Sequence, residues 1–373
     1  MSIGRITATA LICLGMLALD NDELLTNTYL SDSKNLRRLY PERVVIYDPP
    51  GEWSYTHHPS VAAFKGKLYA IFSNGRFGED ENGQRVMLSI SENFTDWSVP
   101  VPLVSPGIGN NGVEMVSTPG GITVINNRLF VYYTLSEYDS ERQRQTRPKL
   151  YAIVSDDGII WSEPTYLKMG AYPCQRPIAL SNGRYLFSNN MRVCYTDDST
   201  ALSGWKVAEM DKPEWPEPHS LCEGTLFQRS DGTVVCAFRS TGKNGDGHLY
   251  QSVSDDYGLT WTAPVKTKFT DGDSKSCFVP LPDGRYFYVG TPDNRKGGDR
   301  YRWPLVAATS ADGVVFDRTW ALSVDRYSQL YPGRWKGGDY GYPFALVDGR
   351  YVYVIVSRRK ERLEIFRIEL EEL

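Results

Sequence analysis

One pattern recurs six times along this chain: an apolar strand-like segment, a tight turn, and a second segment rich in Tyr, Phe and Val. The dipeptides at these turns are Lys65-Gly66, Asn126-Asn127, Asn182-Gly183, Asp231-Gly232, Asp283-Gly284 and Asp348-Gly349. Asn-Gly and Asp-Gly supply the positive φ angles that two-residue hairpin turns require. The pattern therefore predicts six β-hairpins in one chain.

A second motif, Ser-x-Asp-x-Gly-x-x-Trp with small variations, follows most of the hairpins. Copies span 89–98, 154–164, 253–264 and 309–320, and a degenerate copy spans 195–205. The Asp can cap backbone N–H groups, the Gly can take a left-handed backbone, and the Trp can fill the gap between neighbouring units. Units of roughly fifty residues with four strands each are typical of propeller blades.

The sixth unit ends with "LEIFRIEL" and is one strand short. The segment "ERVVIYD" from Glu42 to Asp48 has strand character and belongs to no unit. We expect it to complete the sixth blade and to close the ring. The predicted architecture is a single all-β domain over 42–373, a six-bladed propeller with seven blades as the alternative, preceded by an N-terminal extension over 20–41.

The N-terminus carries an apolar stretch from Ile6 to Leu19 after a single Arg. This is short for a membrane span and suits the apolar region of a signal peptide. We predict a signal peptide over 1–19 and a secreted or periplasmic protein, with an uncleaved extension on a cytoplasmic protein as the alternative. No other stretch is apolar enough to predict a membrane span.

Composition excludes several partners. The net charge of −4 provides no basic field for nucleic acid. The six cysteines include no Cys-x-x-Cys pair, and four histidines are few for a Cys/His zinc site, so we predict no metal site. No phosphate loop, dinucleotide fingerprint or EF-hand is present, and we expect no cofactor, although a structural Ca²⁺ is compatible with any propeller.

The hairpins and the Asp-bearing motif together resemble the Asp-box, or BNR, repeats of the sialidase superfamily. The resemblance extends over nearly the whole chain from about residue 42 and implies a six-bladed propeller. Asp boxes lie away from the active site and also occur in propellers without catalytic activity, so function has to be argued from the site.

The resemblance implies three arginines that bind a substrate carboxylate, a Tyr nucleophile assisted by a Glu, and an Asp that acts as acid and base. Glu223 and Arg239 match the Glu-x-Thr strand and the Arg that ends the next strand. Arg302 fits a second arginine of the trio, and Arg300 is its rival. Tyr340 fits the nucleophile best.

Tyr342 is the competitor for that role. Asp80, in the loop after the first hairpin, is the nearest match to the acid/base Asp. His219 lies four residues before Glu223 and is a secondary candidate for substrate binding.

The first unit departs from the sialidase pattern. Where sialidases carry Arg-Ile-Pro, this chain reads His57-His58-Pro59. Imidazole cannot replace a bidentate arginine without loss of charge and geometry at neutral pH, so ordinary sialidase activity is not expected. Because adjacent side chains on a strand point to opposite faces, we expect only one of the two histidines to face the central cup.

Three functions fit these residues. The first is a glycoside hydrolase that removes a terminal, acidic sugar from a glycan, with His57 or His58 as a new specificity or acid/base group. The second is a polysaccharide lyase acting on uronate-containing glycans through a histidine, Tyr340 and Arg239. Rhamnosyl-glucuronidases are similar in using a histidine near the N-terminus, but they are seven-bladed. The third is a glycan-binding propeller without catalysis, in which aromatic residues stack on sugars.

Overall fold

The computed structural model describes residues 23–29, 36–212, 221–241, 245–295 and 301–373. The predicted signal peptide, His219 and Arg300 lie outside these residues. Within them, no helix is long and apolar enough to cross a membrane. The elements are strands and one short 3₁₀ helix, Leu370–Glu372, which confirms the all-β prediction for the described chain.

Six sheets contain four antiparallel strands each, numbered here along the chain. Sheet 1 contains Tyr55–Phe64, Lys67–Gly75, Arg85–Ser91 and Val101–Val104. Sheet 2 contains Val116–Ile125, Arg128–Asp139, Arg144–Ser155 and Thr165–Tyr166. Sheet 3 contains Ile178–Ala179, Tyr185–Asn189, Arg192–Thr196 and Lys206–Val207.

The second half of the chain repeats this arrangement. Sheet 4 contains Leu221–Gln228, Val234–Ser240, His248–Ser254 and Val265–Thr270. Sheet 5 contains Cys277–Pro280, Tyr286–Gly290, Leu305–Ser310 and Arg318–Ser323. Sheet 6 contains Tyr340–Asp348, Tyr351–Arg358, Arg362–Glu369 and Glu42–Tyr47.

The fourth strand of sheet 6 comes from the N-terminal part of the chain. Glu42–Tyr47 pairs antiparallel with Arg362–Glu369, so the predicted closing strand is confirmed. Shorter strands add to the sheets in parallel: Thr26–Asn27 and Val315–Phe316 extend sheet 4, and Arg37–Arg38 extends sheet 5. Glu209–Met210 pairs in parallel with Thr260–Trp261 as a separate ladder.

Buried apolar clusters join each sheet to the next. Separate clusters lie between sheets 1 and 2, 2 and 3, 3 and 4, and 4 and 5. A fifth cluster joins sheets 5 and 6 to sheet 1. At the junction of sheets 4 and 5, for example, the rings of Phe227 and Phe278 are stacked with centroids 5.2 Å apart. Burial of apolar surface is the main favourable term in folding. The cluster that packs sheet 6 against sheet 1 therefore holds the last sheet next to the first.

The repeated Ser-x-Asp-x-Gly motif forms a compact turn after the third strand of a sheet. In sheet 2, the Ser155 hydroxyl oxygen accepts the Gly158 N–H at 2.8 Å. The Asp157 carboxylate accepts the N–H groups of Ile159 and Ile160, each at 2.8 Å. The same bonds recur around Asp256 in sheet 4 and around Asp312 in sheet 5.

The glycine of this turn meets two requirements at once. Gly158 has a φ of +78°, which favours glycine, and a Cβ there would lie 2.2 Å from the Tyr69 hydroxyl of sheet 1. Gly258 repeats the arrangement, since its Cβ would lie 2.2 Å from Leu186 Cδ2 of sheet 3. The motif therefore fixes the spacing between consecutive sheets as well as the turn.

We predict that Gly158→Ala destabilises the protein more than Gly183→Ala does. Gly183 also has a positive φ, of +88°, but a Cβ there would contact nothing within 4 Å. The difference isolates the clash with Tyr69, which should cost roughly 1–3 kcal/mol of unfolding free energy. Chemical denaturation of the two variants measures it, and equal destabilisation would show that sheets 1 and 2 are not held at this distance by the glycine.

Candidate functional site

The first strands of neighbouring sheets lie beside one another, and four of them, in sheets 1, 2, 4 and 6, carry a β-bulge near their beginning. The bulges include His58 in sheet 1, Glu223 in sheet 4 and Tyr342 in sheet 6, whose φ angles are 51°, 31° and 51°. A bulge inserts one residue into the strand and changes the direction of its side chain. Left-handed backbone at residues other than glycine is uncommon and is concentrated at functional sites.

Tyr342 and Glu223 are directly bonded. The Tyr342 hydroxyl donates to Glu223 Oε1 at 2.6 Å, and the other oxygen, Oε2, lies 2.7 Å from Arg239 Nε. Burial raises the pKa of Tyr342 well above its ordinary value. Burial also opposes ionisation of Glu223, but Arg239 and Lys275 outweigh it and bring its pKa below the ordinary value. The pair is therefore a protonated phenol facing an ionised carboxylate.

Two arginines face the same tyrosine ring. The guanidinium carbons of Arg239 and Arg302 lie 5.5 and 5.6 Å from the ring centroid of Tyr342. Arg239 Nη1 and Arg302 Nε both donate to the carbonyl oxygen of Asp273, at 3.0 and 2.9 Å. Arg302 Nη1 is buried and has no hydrogen-bond partner in the described part of the chain. The two arginines inferred from the sequence thus lie in one site.

Two lysines complete the basic surroundings of Tyr342. Lys275 Nζ lies 4.7 Å and Lys360 Nζ 5.9 Å from its ring centroid. Lys275 donates to the carbonyl of Cys174, and Lys360 pairs with Glu79. Burial lowers the pKa of both lysines, against the opposing effect of the nearby glutamates.

Both histidines of the opening unit belong to the site. His57 Nδ1 lies 2.7 Å from Ser357 Oγ, and His58 Nδ1 lies 3.0 Å from Ser73 Oγ. The Nε2 atoms of both rings lie 3.7 Å from Glu79 Oε1. The bulge between His57 and Ser60 interrupts strand alternation, so both Nε2 atoms approach the same carboxylate oxygen. His57 is fully buried and His58 is partly exposed, and the expectation that only one imidazole faces the cup stays a prediction.

Burial governs the titration of these histidines and of their acidic neighbours. It lowers the pKa of His57 well below the ordinary value and that of His58 to about 4. Burial and the charge of Glu79 raise the pKa of Asp80 to about 7, while Gln145 Nε2 donates to Asp80 Oδ1 at 2.6 Å. Burial also acts to raise the pKa of Glu79, but Lys360 prevails and the pKa is lowered. Of the two acids, Asp80 is the one suited to hold a proton near neutral pH.

Tyr340 occupies a different environment from the one predicted. Its ring is fully buried, its hydroxyl lies 2.6 Å from Ser323 Oγ and 3.0 Å from the Asp325 carbonyl, and the Arg358 guanidinium carbon lies 4.1 Å from the ring centroid. The structure therefore places Tyr342 beside Glu223, and Tyr340 in the packing between sheets 5 and 6. An offset counted along the sequence cannot allow for the bulge that contains Tyr342.

Sequence reasoning missed Lys275, Lys360 and Asp273. Lys275 lies in the loop "DSKS" before sheet 5, and Lys360 lies in the charged turn "RRKE" within sheet 6. Each looks like a solvated surface residue when read alone. Asp273 has a left-handed backbone, with a φ of 61°, and no sequence motif predicts this conformation.

One further carboxyl group, that of Asp271, lies near Arg239 and Asp273. Asp271 is buried, and its Oδ2 accepts the Ser240 N–H at 3.2 Å. Burial is the largest cause that raises its pKa to about 7; Arg239 acts in the opposite direction and Asp273 in the same direction.

The profile of the family described as BNR repeat-like domain matches residues 66–354. No curated protein matches the chain significantly. Among solved structures, a protein of unknown function from Dyadobacter fermentans DSM 18053 is 18% identical, with a TM-score of 0.67, over 90% of this chain and 99% of that one. A structure entitled sialidase is 17% identical, with a TM-score of 0.65, over 93% of this chain and 34% of that one.

Two further structures were solved with ligands. Trypanosoma rangeli sialidase in complex with sialic acid is 14% identical, with a TM-score of 0.61, over 92% of this chain and 59% of that one. The intramolecular trans-sialidase from Ruminococcus gnavus in complex with oseltamivir carboxylate is 13% identical, with a TM-score of 0.60, over 88% of this chain and 97% of that one. At these identities the likeness establishes the fold, and the predicted all-β propeller class is confirmed.

We predict that Asp271 makes stability fall as the pH rises. At pH values below 3.8 both the folded and the unfolded chain bind the proton; between 3.8 and about 7 only the folded chain retains it. The free energy of unfolding should therefore decrease across this interval. Asp271→Asn should flatten the dependence in urea titrations at a series of pH values. Asp231→Asn, at an exposed carboxylate paired with Arg229, is the control, and parallel curves for wild type and Asp271→Asn would contradict the prediction.

Proposed function

This chain belongs to the family of BNR repeat-like domains, and from that premise we propose that it is a glycoside hydrolase that removes a terminal acidic sugar from a glycan. The observation that carries the proposal is the 2.6 Å hydrogen bond from Tyr342 to Glu223, among two arginines and two lysines. A tyrosine activated by an adjacent carboxylate is the nucleophile that sialidases use in place of a second catalytic carboxylate.

The charges around Tyr342 favour an anionic substrate. Four basic side chains, Arg239, Arg302, Lys275 and Lys360, surround the ring, whereas two nearby carboxylates have lowered pKa values. Nη1 of Arg302 is buried, has no hydrogen-bond partner among the described residues, and can donate to a ligand. An arginine donates to carboxylate oxygens with strong, charge-assisted bonds. A sugar that carries a carboxylate suits these groups better than a neutral sugar.

The proposed reaction gives one role to each of three groups. Glu223 accepts the Tyr342 proton as the phenolic oxygen forms a bond to the anomeric carbon. Asp80 donates its proton to the glycosidic oxygen, and the bond from that oxygen to the anomeric carbon breaks. In the second step a water gives its proton to Asp80 and attacks the anomeric carbon; the tyrosyl oxygen leaves and recovers its proton from Glu223. Two displacements at one carbon retain its configuration.

The proposed glycoside hydrolase also includes an architecture and a cellular location. The six sheets are the blades of a closed ring in this proposal, with the first strands of sheets 1, 4 and 6 presenting His58, Glu223 and Tyr342 at one mouth. The substrate is a glycan or oligosaccharide outside the cytoplasm, reached after export directed by the N-terminal apolar segment.

We predict that Tyr342→Phe and Glu223→Gln each lower kcat by about 10²–10⁴-fold. Fluorogenic glycosides of sialic acid and of uronic acids are the substrates, and NMR of the first product measures retention. Tyr340→Phe is the matched control, since it removes a hydroxyl bonded to Ser323 two residues away and should leave kcat within about twofold. Full activity of folded Tyr342→Phe would contradict the proposed role of Tyr342 as the nucleophile.

The same assays separate the other two functions. A lyase would produce an unsaturated sugar, and the ultraviolet absorbance of its new double bond would rule out hydrolysis. A binding module would retain glycan affinity with no turnover by the wild-type chain, and that result would remove the enzymatic proposal altogether.

A further inference from the structure

We propose that His57, His58 and Glu79 bind a divalent transition metal ion of the Zn²⁺ class. One ligand atom from each residue lies within 4.8 Å of the other two. Metal binding is a property of these three side chains and does not depend on the proposed hydrolase activity.

The distances suit a metal ion better than they suit hydrogen bonds. Both Nε2 atoms lie 3.7 Å from Glu79 Oε1, beyond the range in which an N–H···O hydrogen bond forms. Ligand atoms bound to one Zn²⁺ at about 2.0–2.1 Å in a tetrahedron stand roughly 3.3–3.5 Å apart. The two imidazole-to-carboxylate distances therefore exceed this spacing by only a few tenths of an ångström.

The serine contacts fix which imidazole nitrogen is free. Ser357 donates its hydroxyl proton to the Gly341 carbonyl at 3.1 Å, and Ser73 donates its own to the His57 carbonyl at 2.9 Å. Each serine has one proton, so each must accept from the histidine Nδ1–H beside it. Nε2 of both rings is then unprotonated and lies 3.7 Å from Glu79 Oε1.

This arrangement brings two imidazole lone pairs close to Glu79 Oε1, an oxygen that also accepts the Tyr55 hydroxyl at 3.4 Å. His57 Nε2 is buried and has no hydrogen-bond partner among the residues that the structure describes. A buried polar atom without a partner is costly, and a cation among these three atoms removes that cost. Histidine ligands of metal ions characteristically donate their other ring N–H to a neighbouring oxygen, as both histidines do here.

The neighbouring charges narrow the choice of ion. Lys360 pairs with the second oxygen of Glu79, and Lys275 lies nearby over Tyr342, so simple electrostatic attraction for a cation is weak. Ca²⁺ and Mg²⁺ require several oxygen ligands, and this site offers one carboxylate. Imidazole nitrogens favour Zn²⁺ and related transition metals through coordination bonds.

The site leaves a coordination position for a ligand. Three protein ligands with an open fourth position are typical of zinc sites that bind a substrate or water. The imidazoles of His57 and His58 have ring centroids 4.1 and 5.4 Å from that of Tyr342, so these two ligands lie beside the proposed nucleophile. If the proposed function holds, the ion supplies positive charge where the Arg of the sialidase motif is missing.

Isothermal titration of the full chain, freed of metal by a chelator, with Zn²⁺ tests the proposal. We expect one Zn²⁺ per chain, undiminished by excess Ca²⁺ or Mg²⁺. His58→Ala and Glu79→Gln should each weaken Zn²⁺ binding at least about tenfold, and Ser73→Ala about 10- to 100-fold. Co²⁺ should give visible absorption bands that Zn²⁺ abolishes. His58 is preferred to His57 for substitution because it is partly exposed.

Two controls keep the outcomes separate. His248→Ala, at a histidine bonded to Asp246 in sheet 4, should bind Zn²⁺ as the wild type does. Tyr342→Phe should also bind Zn²⁺ normally while losing hydrolase activity. The metal site and the hydrolase activity can therefore be contradicted independently of each other. Absence of Zn²⁺ binding by the wild-type chain, or equal affinity in folded His58→Ala and wild type, would overturn the metal site.

Discussion

The bulges at the beginning of the first strands are the constraint on which the site depends. A regular strand would direct successive side chains to opposite faces, so His57 and His58 could not both approach Glu79. The extra residue in the bulge cancels this alternation in sheet 1, and equivalent bulges in sheets 4 and 6 direct Glu223 and Tyr342 toward each other. The remainder of each strand keeps regular pairing and buries its apolar side chains between sheets.

Charge compensation is the second constraint. The site gathers basic and acidic groups with little exposure to water, and such groups persist only when they are paired. Glu223 neutralises Arg239, Glu79 neutralises Lys360, and the carbonyl of Asp273 holds both arginines. Arg302 Nη1 and His57 Nε2 are among the buried polar atoms of this site that have no hydrogen-bond partner within the described chain. Both are natural contacts for something that the protein binds.

Part of the site was accessible to sequence reasoning because it depends on local position. Glu223 and Arg239 stand at fixed places in one hairpin, where their residue types and spacing match the sialidase pattern that they resemble. Arg302 was also identified through this resemblance, by its offset to the following motif. Tyr340 was favoured over Tyr342 because counting residues assumes a regular strand, and the bulge at Tyr342 breaks that assumption.

The sequence alone determined the all-β hairpin units, the closing strand at Glu42–Tyr47 and the departure at His57-His58-Pro59, because turn chemistry and hydrophobic alternation act between residues close along the chain. Only the tertiary structure decided that Lys275 and Lys360 surround Tyr342, that both histidines meet Glu79, and that Tyr340 is a packing residue. Those contacts join residues far apart in sequence, and their directions depend on bulges and left-handed residues that the packing of neighbouring sheets stabilises.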